Sequence, residues 1–341
     1  MDMGWRLFGR TRGPENVSNV WGQRGHVKTL AAAFSRLYTH DMALFGGIEA
    51  GGTKFICGIG TCPDDLEVHA FPTVGPVENV RQAIQFFQDK ADNQLAGLGI
   101  ASFGPIDLDR TSATYGYITT TPKTAWRHVD LVGALSKGLS LPIAFETDVN
   151  AAALAEAEWG ASRDVEDSVY LTVGTGIGGG VVVNGEAVHG LLHPEIGHIR
   201  VAHDLDNDPF TGSCQFHGDC LEGLASAPAL SQRWGRPPES LPATHPAWEL
   251  EARYLASAIA ILVYTLSPHR IILGGGVMQH DALFPMIRRK VGHFMNGYIA
   301  KPQLCEEIDR YIVPTSLGRY SGVLGAILLA SRCYQRPATQ D

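Results

Sequence analysis

Two cysteines and a histidine stand at equal spacing in one short loop. In GSCQFHGDCLEG, residues 212–223, Cys214, His217 and Cys220 are each three positions apart. A disulfide, a redox pair and a metal site are the chemistries open to such a set. The other four cysteines are isolated, and the first 40 residues lack the apolar core of a signal peptide. Both features predict a reducing cytoplasm, which counts against a structural disulfide.

Glycine-rich turns between apolar runs are candidates for phosphate binding. VGTGIGGG (173–180) has five glycines within seven positions. Ordering so many glycines loses backbone entropy on folding, so the pattern indicates that a ligand, usually a phosphate, must approach the backbone closely. The strand-like VVVNG that follows disfavours a dinucleotide-binding helix. EAGGTKF (49–55) lacks the Walker A spacing and, taken alone, fits an ordinary hairpin. GGGV (274–277) follows a buried strand and predicts either a ligand crevice or a strand-to-helix turn.

Carboxylates in three other stretches could do acid–base or hydrogen-bonding work. In ETDVNAAALAE, Asp148 stands between a strand and an alanine-rich helix. It can be the N-cap of that helix, a general base kept ionised by the helix N-terminus, or both. Glu195 and His198 share the stretch HPEIGHIRV, and Glu222 follows the last loop cysteine by two positions. Paired carboxylates bind sugar hydroxyls well.

The elements that must position these groups alternate between strands and helices. Strand–glycine-turn–strand patterns at 44–60 and 168–185 begin the two halves of the chain and predict two similar lobes facing each other across a cleft. The remaining pattern predicts a helix at 77–95, a strand running into a loop at 96–108, a strand and alanine-rich helix at 141–160, an apolar helix at 250–266, a strand at 270–278, and helices at 281–296 and 318–333. This alternation predicts an α/β fold.

Composition excludes several classes of protein. The 341 residues are 45% hydrophobic and 18% charged, as in globular proteins, and are long enough for two lobes. A formal net charge of −8 provides no general attraction to nucleic acid or anionic membrane, and no apolar run reaches membrane-spanning length. Residues 1–41 are rich in arginine, and we expect a disordered extension or a start-site artefact, with Met42 as the functional start, rather than a transit peptide.

Residues 44–330 resemble sugar kinases of the ROK family (repressors, open reading frames, kinases), within the actin/hexokinase/Hsp70 superfamily. The matching stretches, in order, are GGIEAGGTK (46–54), GIASFGPID (99–107), YGYITTTPK (115–123), TDVNAAALAE (147–156), LTVGTGIGGG (171–180), HPEIGH (193–198), CQFHGDCLEGLASAPA (214–229) and GGGVM (274–278). The first and third are similar to the bacterial fructokinase branch of that family.

The resemblance implies a two-lobed actin/hexokinase-like (ribonuclease H-like) α/β fold with an interlobe cleft. We expect a small lobe at 42–150, a large lobe at 151–333 that carries a zinc-binding loop at 193–223, and a tail at 334–341. The C-terminal helix would return to the N-terminal lobe.

The same resemblance implies the roles of site residues. Asp148 matches the general base. The sugar-binding positions fall on Ser102, Gly104, Pro105, Lys123, Glu195, His198 and Glu222. The ATP-binding positions fall on Gly51, Gly52, Thr53, Lys54, Thr172, Gly174, Thr175, Gly176, Gly178, Gly179, Gly274, Gly275 and Gly276. Most ROK kinases have Asp where this chain has Glu49, the group expected to organise Mg²⁺, and many have Asn where it has Thr147.

For the cysteine loop, the resemblance implies a structural zinc site. Its ligands would be His198, Cys214, His217 and Cys220, with His203 a weaker competitor. Two imidazoles and two thiolates make an acceptable tetrahedral set.

The activity implied is ATP- and Mg²⁺-dependent phosphorylation of a hexose, most simply D-fructose to D-fructose 6-phosphate. Mannose, glucose and N-acylhexosamines are alternative substrates. A non-catalytic ROK sugar sensor or transcriptional regulator is the alternative from another class, although the glycines of the first 42 residues disfavour a helix-turn-helix there. The resemblance also implies a homodimer. The composition and cysteine pattern described above predict a cytoplasmic location and no nucleic-acid or membrane partner.

Overall fold

The computed structural model describes residues 43–91 and 94–335, which contain two five-stranded sheets. In the first sheet the spatial order is β3-β2-β1-β4-β7, and in the second it is β10-β9-β8-β11-β12. The strands are β1 (Leu44–Ala50), β2 (Lys54–Gly60), β3 (Glu67–Pro72), β4 (Leu95–Ser102), β5 (Tyr117–Ile118), β6 (Val129–Asp130), β7 (Ile143–Thr147), β8 (Ser168–Val173), β9 (Ile177–Val183), β10 (Glu186–Ala187), β11 (Arg270–Gly274) and β12 (Ile312–Pro314). Strands β5 and β6 form a separate two-stranded ribbon.

Helices cover and connect these sheets. They are α1 (Pro76–Ala91), α2 (Leu131–Gly138), α3 (Asp148–Glu158), α4 (Leu221–Ala225), α5 (Ala227–Trp234), α6 (Ala247–Leu266), α7 (Leu283–Met295), α8 (Ile308–Tyr311) and α9 (Ser321–Gln335). Within the described residues no helix is both long and apolar enough to cross a membrane.

The strand registers bring the ends of several strands to one place. In the first sheet β1 pairs with β4 and β4 with β7, all parallel, so that Ala50, Ser102 and Thr147 lie side by side at their carboxyl ends. In the second sheet β8 and β11 are also parallel and end together at Thr172 and Gly274. Ligands of open α/β sheets bind beyond the carboxyl ends of such strands. The registers therefore place the β1–β2 turn and the start of α3 at the carboxyl ends of the first sheet's parallel strands. They place the β8–β9 turn and the GGG segment at the carboxyl ends of the second sheet's parallel strands.

Helices α3 and α9 pack against each other and against the first sheet through small residues. A Cβ on Gly99 of β4 would overlap the carbonyl oxygen of Ala326, and one on Gly325 would overlap that of Ala151. Glycine is required at both positions because backbones approach closely there. Helix α9 thus lies on the first sheet.

The element boundaries differ from the sequence prediction in a few places. The predicted helix at 77–95 ends at Ala91, and the last helix begins at Ser321, after a 3₁₀ turn at Gly318–Tyr320. The predicted pattern has no counterpart for strands β3, β5, β6, β10 and β12 or for helices α2, α4, α5 and α8. The predictions for residues 1–41 and 336–341 lie outside the described residues. The lobe boundary at 150 stays a prediction.

Candidate active site

A cleft of about 1220 Å³ opens where the carboxyl ends of the two sheets face each other. Binding pockets for single small molecules measure about 300–1,000 Å³, so this cleft has room for two ligands side by side. Both sheets contribute to its walls, as do the loops after β4 and β10 and the segment around residues 213–222.

Two glycine turns meet in the cleft. The β1–β2 turn is closed by a hydrogen bond from Gly51 N to Lys54 O (3.0 Å), and the β8–β9 turn by one from Gly174 N to Gly176 O (2.9 Å). The hydroxyls of Thr53 and Thr175 lie 3.1 Å apart and join the two turns directly. Exposed backbone N–H groups and hydroxyls from both sheets therefore face the same space, which suits an extended anion.

Nearly all predicted binding residues line this cleft. They are Gly51, Gly52, Thr53, Lys54, Gly104, Pro105, Lys123, Asp148, Thr172, Gly174, Thr175, Gly176, Gly178, Gly179, Glu195, His198, Glu222, Gly274, Gly275 and Gly276. Ser102 is the exception and requires a correction. Its side chain is fully buried, and its hydroxyl donates to the carbonyl oxygen of Phe103 (3.0 Å), so it does not face a sugar.

Asp148 is the first residue of α3 and lines the cleft. The helix N-cap is Thr147, whose hydroxyl accepts from Asn150 N (3.1 Å), so the N-cap interpretation of Asp148 is wrong. Burial raises the pKa of Asp148 to about 6, while backbone N–H groups of Val149 and of Asp148 itself act in the opposite direction. Desolvation outweighs the helix terminus that was expected to keep the carboxylate ionised. A carboxylate with a pKa near neutrality is suited to accepting a proton.

Glu195 also lines the cleft, and it contacts a histidine that sequence reasoning missed. Burial first, then the charges of Asp148 and Glu222, raise the pKa of Glu195 to about 7. His193 is buried, and its Nε2 accepts from Ile106 N (3.2 Å). Its Nδ1 therefore carries the proton and faces Glu195 Oε1 at 3.5 Å. The position of His193 two residues before Glu195 is the available sequence signal.

The cysteine loop brings four potential ligands together. One ligand atom from each of His198, Cys214, His217 and Cys220 lies within 4.8 Å of the others. Individual separations are 3.5 Å from His198 Nδ1 to Cys220 Sγ, 3.8 Å to Cys214 Sγ, and 3.6 Å from Cys214 Sγ to His217 Nδ1. Tetrahedral zinc would separate such nitrogen and sulfur atoms by about 3.6 Å.

His203 lies outside this group. Its Nε2 is 3.0 Å from the Asp208 carbonyl oxygen and its Nδ1 is 3.3 Å from Asp219 Oδ2. Both ring nitrogens are thus engaged with oxygens, which leaves the four-residue set described above as the candidate metal site.

Comparison with known proteins matches almost the whole described chain to one family. The ROK family model matches residues 45–333. The chain belongs to the ROK family. A fructokinase of Zymomonas mobilis subsp. mobilis is 42% identical over 298 residues, covering 85% of this chain and 97% of that protein. A fructokinase of Pediococcus pentosaceus is 41% identical over 288 residues, covering 84% and 97%.

The solved structures agree with this assignment. A ROK hexokinase from Thermus thermophilus superposes with a TM-score of 0.67 at 28% identity, covering 85% of this chain and 98% of that one. The predicted actin/hexokinase-like α/β fold is therefore confirmed, as is the resemblance on which it was based.

In this ROK protein the cysteine loop is tied to the second glycine turn. Glu222, two residues after Cys220, accepts a hydrogen bond from Ile177 N at its Oε2 (3.0 Å). Ala227 N donates to Gly174 O (2.8 Å). The segment that follows the last cysteine thus holds both ends of the turn in the second sheet. One oxygen of Glu222 is already engaged by the protein backbone.

Glu49 lies at the end of β1 with an unusual environment. Its Oε2 is buried and has no hydrogen-bond partner among the described residues. Burial, and then the charge of Asp148, raise the pKa of Glu49 to about 7, whereas Lys54 and the Val323 N–H act in the opposite direction. A buried carboxylate oxygen left unpaired at the edge of a phosphate turn fits a role beside a cation.

Glu156 is a second residue that sequence reasoning missed. It lies on α3, two turns after Asp148, and is fully buried. Its carboxylate accepts hydrogen bonds from Ala161 N, Thr315 Oγ1, Ser316 N and Oγ, Leu317 N and Ser321 Oγ. This anchor fixes the turn between β12 and α9, and Thr315, Gly318 and Arg319 of that turn line the cleft. The alanine-rich pattern of α3 predicts a helix but neither the burial of Glu156 nor the donors that it meets.

Proposed function

We propose that this ROK protein transfers the γ-phosphoryl group of ATP to D-fructose, giving D-fructose 6-phosphate and ADP. The observation that carries the proposal is the convergence of Asp148 with the two joined glycine turns in one cleft. The relatives named fructokinase, at 41–42% identity over most of both chains, support fructose as the hexose.

In the proposed reaction the sugar 6-hydroxyl oxygen attacks the γ-phosphorus. Asp148 accepts the hydroxyl proton as the new P–O bond forms, and the bond from the γ-phosphorus to the β–γ bridging oxygen breaks, so that ADP leaves with the electron pair. The two glycine turns would hold the phosphates of ATP through backbone N–H groups, and residues 274–276 would border the adenine. Positioning supplies much of the catalysis in such transfers.

Glu195, His198 and Glu222 are the proposed sugar-binding groups, together with the loop at Gly104 and Pro105. Glu195 would accept hydrogen bonds from sugar hydroxyls while His193 holds it in place through the 3.5 Å contact. Because His193 also accepts from Ile106 N in the loop after β4, it fixes the relative position of two walls of the sugar site.

Glu49 and the phosphates are the proposed partners of Mg²⁺. The unpaired buried oxygen of Glu49 fits a cation, directly or through water. Bound there with ATP, Mg²⁺ would offset the charge that develops on the phosphates during transfer.

We also propose that His198, Cys214, His217 and Cys220 bind a structural Zn²⁺. The donor set and the separations of 3.5–3.8 Å support this. All four positions would be filled by protein, so the ion would cross-link the loop and hold Glu195 and Glu222 toward the sugar.

Other assignments are part of the same proposal. We propose lobes at 42–150 and 151–333, a homodimeric assembly and a cytoplasmic location. The helix-turn-helix question falls on the first 42 residues, which lie outside the described part of the chain. The proposed base and phosphate turns favour a kinase over a regulator or a non-catalytic sensor.

The experiment that tests the function is ADP release from MgATP with fructose, mannose, glucose, N-acetylmannosamine and a blank without sugar. We expect kcat/KM for fructose to exceed the others by about tenfold or more, because one misplaced hydroxyl leaves buried polar groups unpaired. Faster turnover of another hexose would reassign the substrate. Absence of turnover with every sugar, from folded protein that binds ATP, would favour the sensor.

The pH dependence of kcat/KM is expected to report the cleft carboxylates. Asp148 accepts a proton only when ionised, and its pKa is raised to about 6, so kcat/KM should fall as pH drops below that value. Glu195, with a pKa raised to about 7, should steepen the fall because its ionised form binds the sugar better. Initial rates at low fructose between pH 5 and pH 9 check this. A flat profile down to pH 5 would contradict the assignment of Asp148 as base.

A further inference from the structure

Lys123 lies against the first glycine turn rather than deep in the sugar pocket. A Cβ built on Gly52 would stand 2.9 Å from Lys123 Cε and 3.7 Å from its Nζ. The ammonium group is therefore beside the backbone of the proposed phosphate turn. The resemblance to the family gave Lys123 only a sugar-binding role, and this position differs from that expectation.

The backbone of Lys123 is held firmly at this place. Its carbonyl oxygen accepts from Trp126 N (2.8 Å), which forms the 3₁₀ turn at Thr124–Trp126. The indole of Trp126 is buried, with its ring centre 5.4 Å from that of Phe55 and 5.6 Å from that of Phe103. Phe55 follows the phosphate turn and Phe103 precedes the sugar loop. Trp126 thus anchors Lys123 at the junction of the phosphate and sugar halves of the cleft.

The side chain of Lys123 has no ion-pair partner among the described residues. The charged side chains lining it are Glu49, Asp148, Glu195, Glu222, Asp281, Lys54, Lys123 and Arg319. No described residue forms an ion pair with any of these three cations. A half-buried ammonium without a carboxylate is ready to pair with an anionic ligand.

We propose that Lys123 binds the γ-phosphoryl group of ATP during transfer and the 6-phosphate of the product, and does not recognise the sugar hydroxyls. The inference rests on the proposed function for its catalytic part. An ammonium acts on phosphate as a compact point charge, which suits the changing geometry of a transferred group. At the junction of the two halves, Lys123 would offset the charge on the γ-phosphoryl oxygens while the sugar oxygen approaches. Lys123 would then be a catalytic residue.

Lys123→Met keeps most of the length of the side chain and removes its charge. We expect kcat to fall by about 10²–10³-fold, as when a group that stabilises transition-state charge is lost. The dissociation constant of fructose should stay unchanged, whereas that of fructose 6-phosphate should rise by about tenfold or more because a charge-assisted contact is lost. Lys123→Arg should recover part of both losses. Lys137→Met, an exposed lysine at the end of α2, is the matched control and should behave as wild type.

A binding measurement without turnover separates this inference from the proposed function. By calorimetry without sugar, we expect wild type to prefer MgATP over MgADP and Lys123→Met to lose about tenfold of that preference. This ratio decides the contact even if no hexose is phosphorylated. An unchanged preference for MgATP over MgADP in Lys123→Met would overturn the proposal. The proposal would also fail if the variant bound fructose more weakly but kept the wild-type ratio of fructose 6-phosphate affinity to fructose affinity, and Lys123 would then return to the sugar site.

Discussion

Replacing Asp148 with asparagine is expected to lower kcat for fructose phosphorylation by about 10³-fold, within the range of 10²–10⁴ that general bases contribute. The amide has the shape of the carboxylate but cannot accept the hydroxyl proton as the P–O bond forms. The dissociation constants of fructose and MgATP should change little, because Glu195, Glu222 and the glycine turns are untouched. Steady-state rates and calorimetry on the same sample make this distinction.

The folded state offers an independent check on this variant. The pKa of Asp148 is raised in the folded protein from 3.8 to about 6, so its contribution to stability is present at low pH and is lost as pH rises through about 6. At pH 8 the ionised, buried carboxylate therefore opposes folding, and asparagine removes that effect. Thr147 still caps the helix. We expect Asp148→Asn to be at least as stable as wild type at pH 8 in thermal unfolding.

A surface substitution controls for the loss of one negative charge. Asp89→Asn, on the exposed face of α1, should leave both kcat and affinity unchanged. Near-normal turnover in Asp148→Asn would refute the assignment of the base. A large loss of fructose affinity with a modest loss of kcat would instead place Asp148 among the sugar-binding residues.

The parts of this fold that sequence reasoning predicted well are those determined locally. The hairpins β1–β2 and β8–β9 are apolar runs separated by glycines, and turn chemistry of that kind is readable from neighbouring residues. Helix α3 follows from its alanine content and its position after a buried strand. Helix α2 was missed because eight residues with two glycines give a weak periodic signal.

The site was predictable as a set of residues but not as a set of contacts. Motifs identify Asp148 and Glu195 without showing that burial raises both pKa values. The contacts of Glu156 span about 160 residues of sequence, and helical periodicity does not identify partners at that separation. Ser102 shows the opposite failure, since it lies in a matching motif at the carboxyl end of β4 but its side chain is buried. Long-range packing decides which motif residues reach the ligand.

Replacing Cys214 with serine is expected to reduce zinc content from about one ion per chain toward zero, because a neutral hydroxyl is a poor substitute for thiolate in a tetrahedral site. The thiol of Cys214 lies within 3.8 Å of both His198 Nδ1 and His217 Nδ1, so its loss removes a central ligand. Metal analysis of purified protein measures this directly. Thermal unfolding should also shift downward, by roughly 1–2 °C for each kcal/mol of lost metal binding in a chain of this length.

Cys305→Ser is the matched control, because Cys305 is an exposed free thiol outside the four-residue set. It should keep full zinc content. In Cys214→Ser, release of the loop should also loosen the hydrogen bonds from Ile177 N to Glu222 and from Ala227 N to Gly174 O, so KM for ATP should rise as well as KM for fructose. Full zinc stoichiometry in Cys214→Ser would show that the ligand set is wrong. Loss of zinc with an unchanged KM for ATP would keep the ligand set but separate the loop from the phosphate turn.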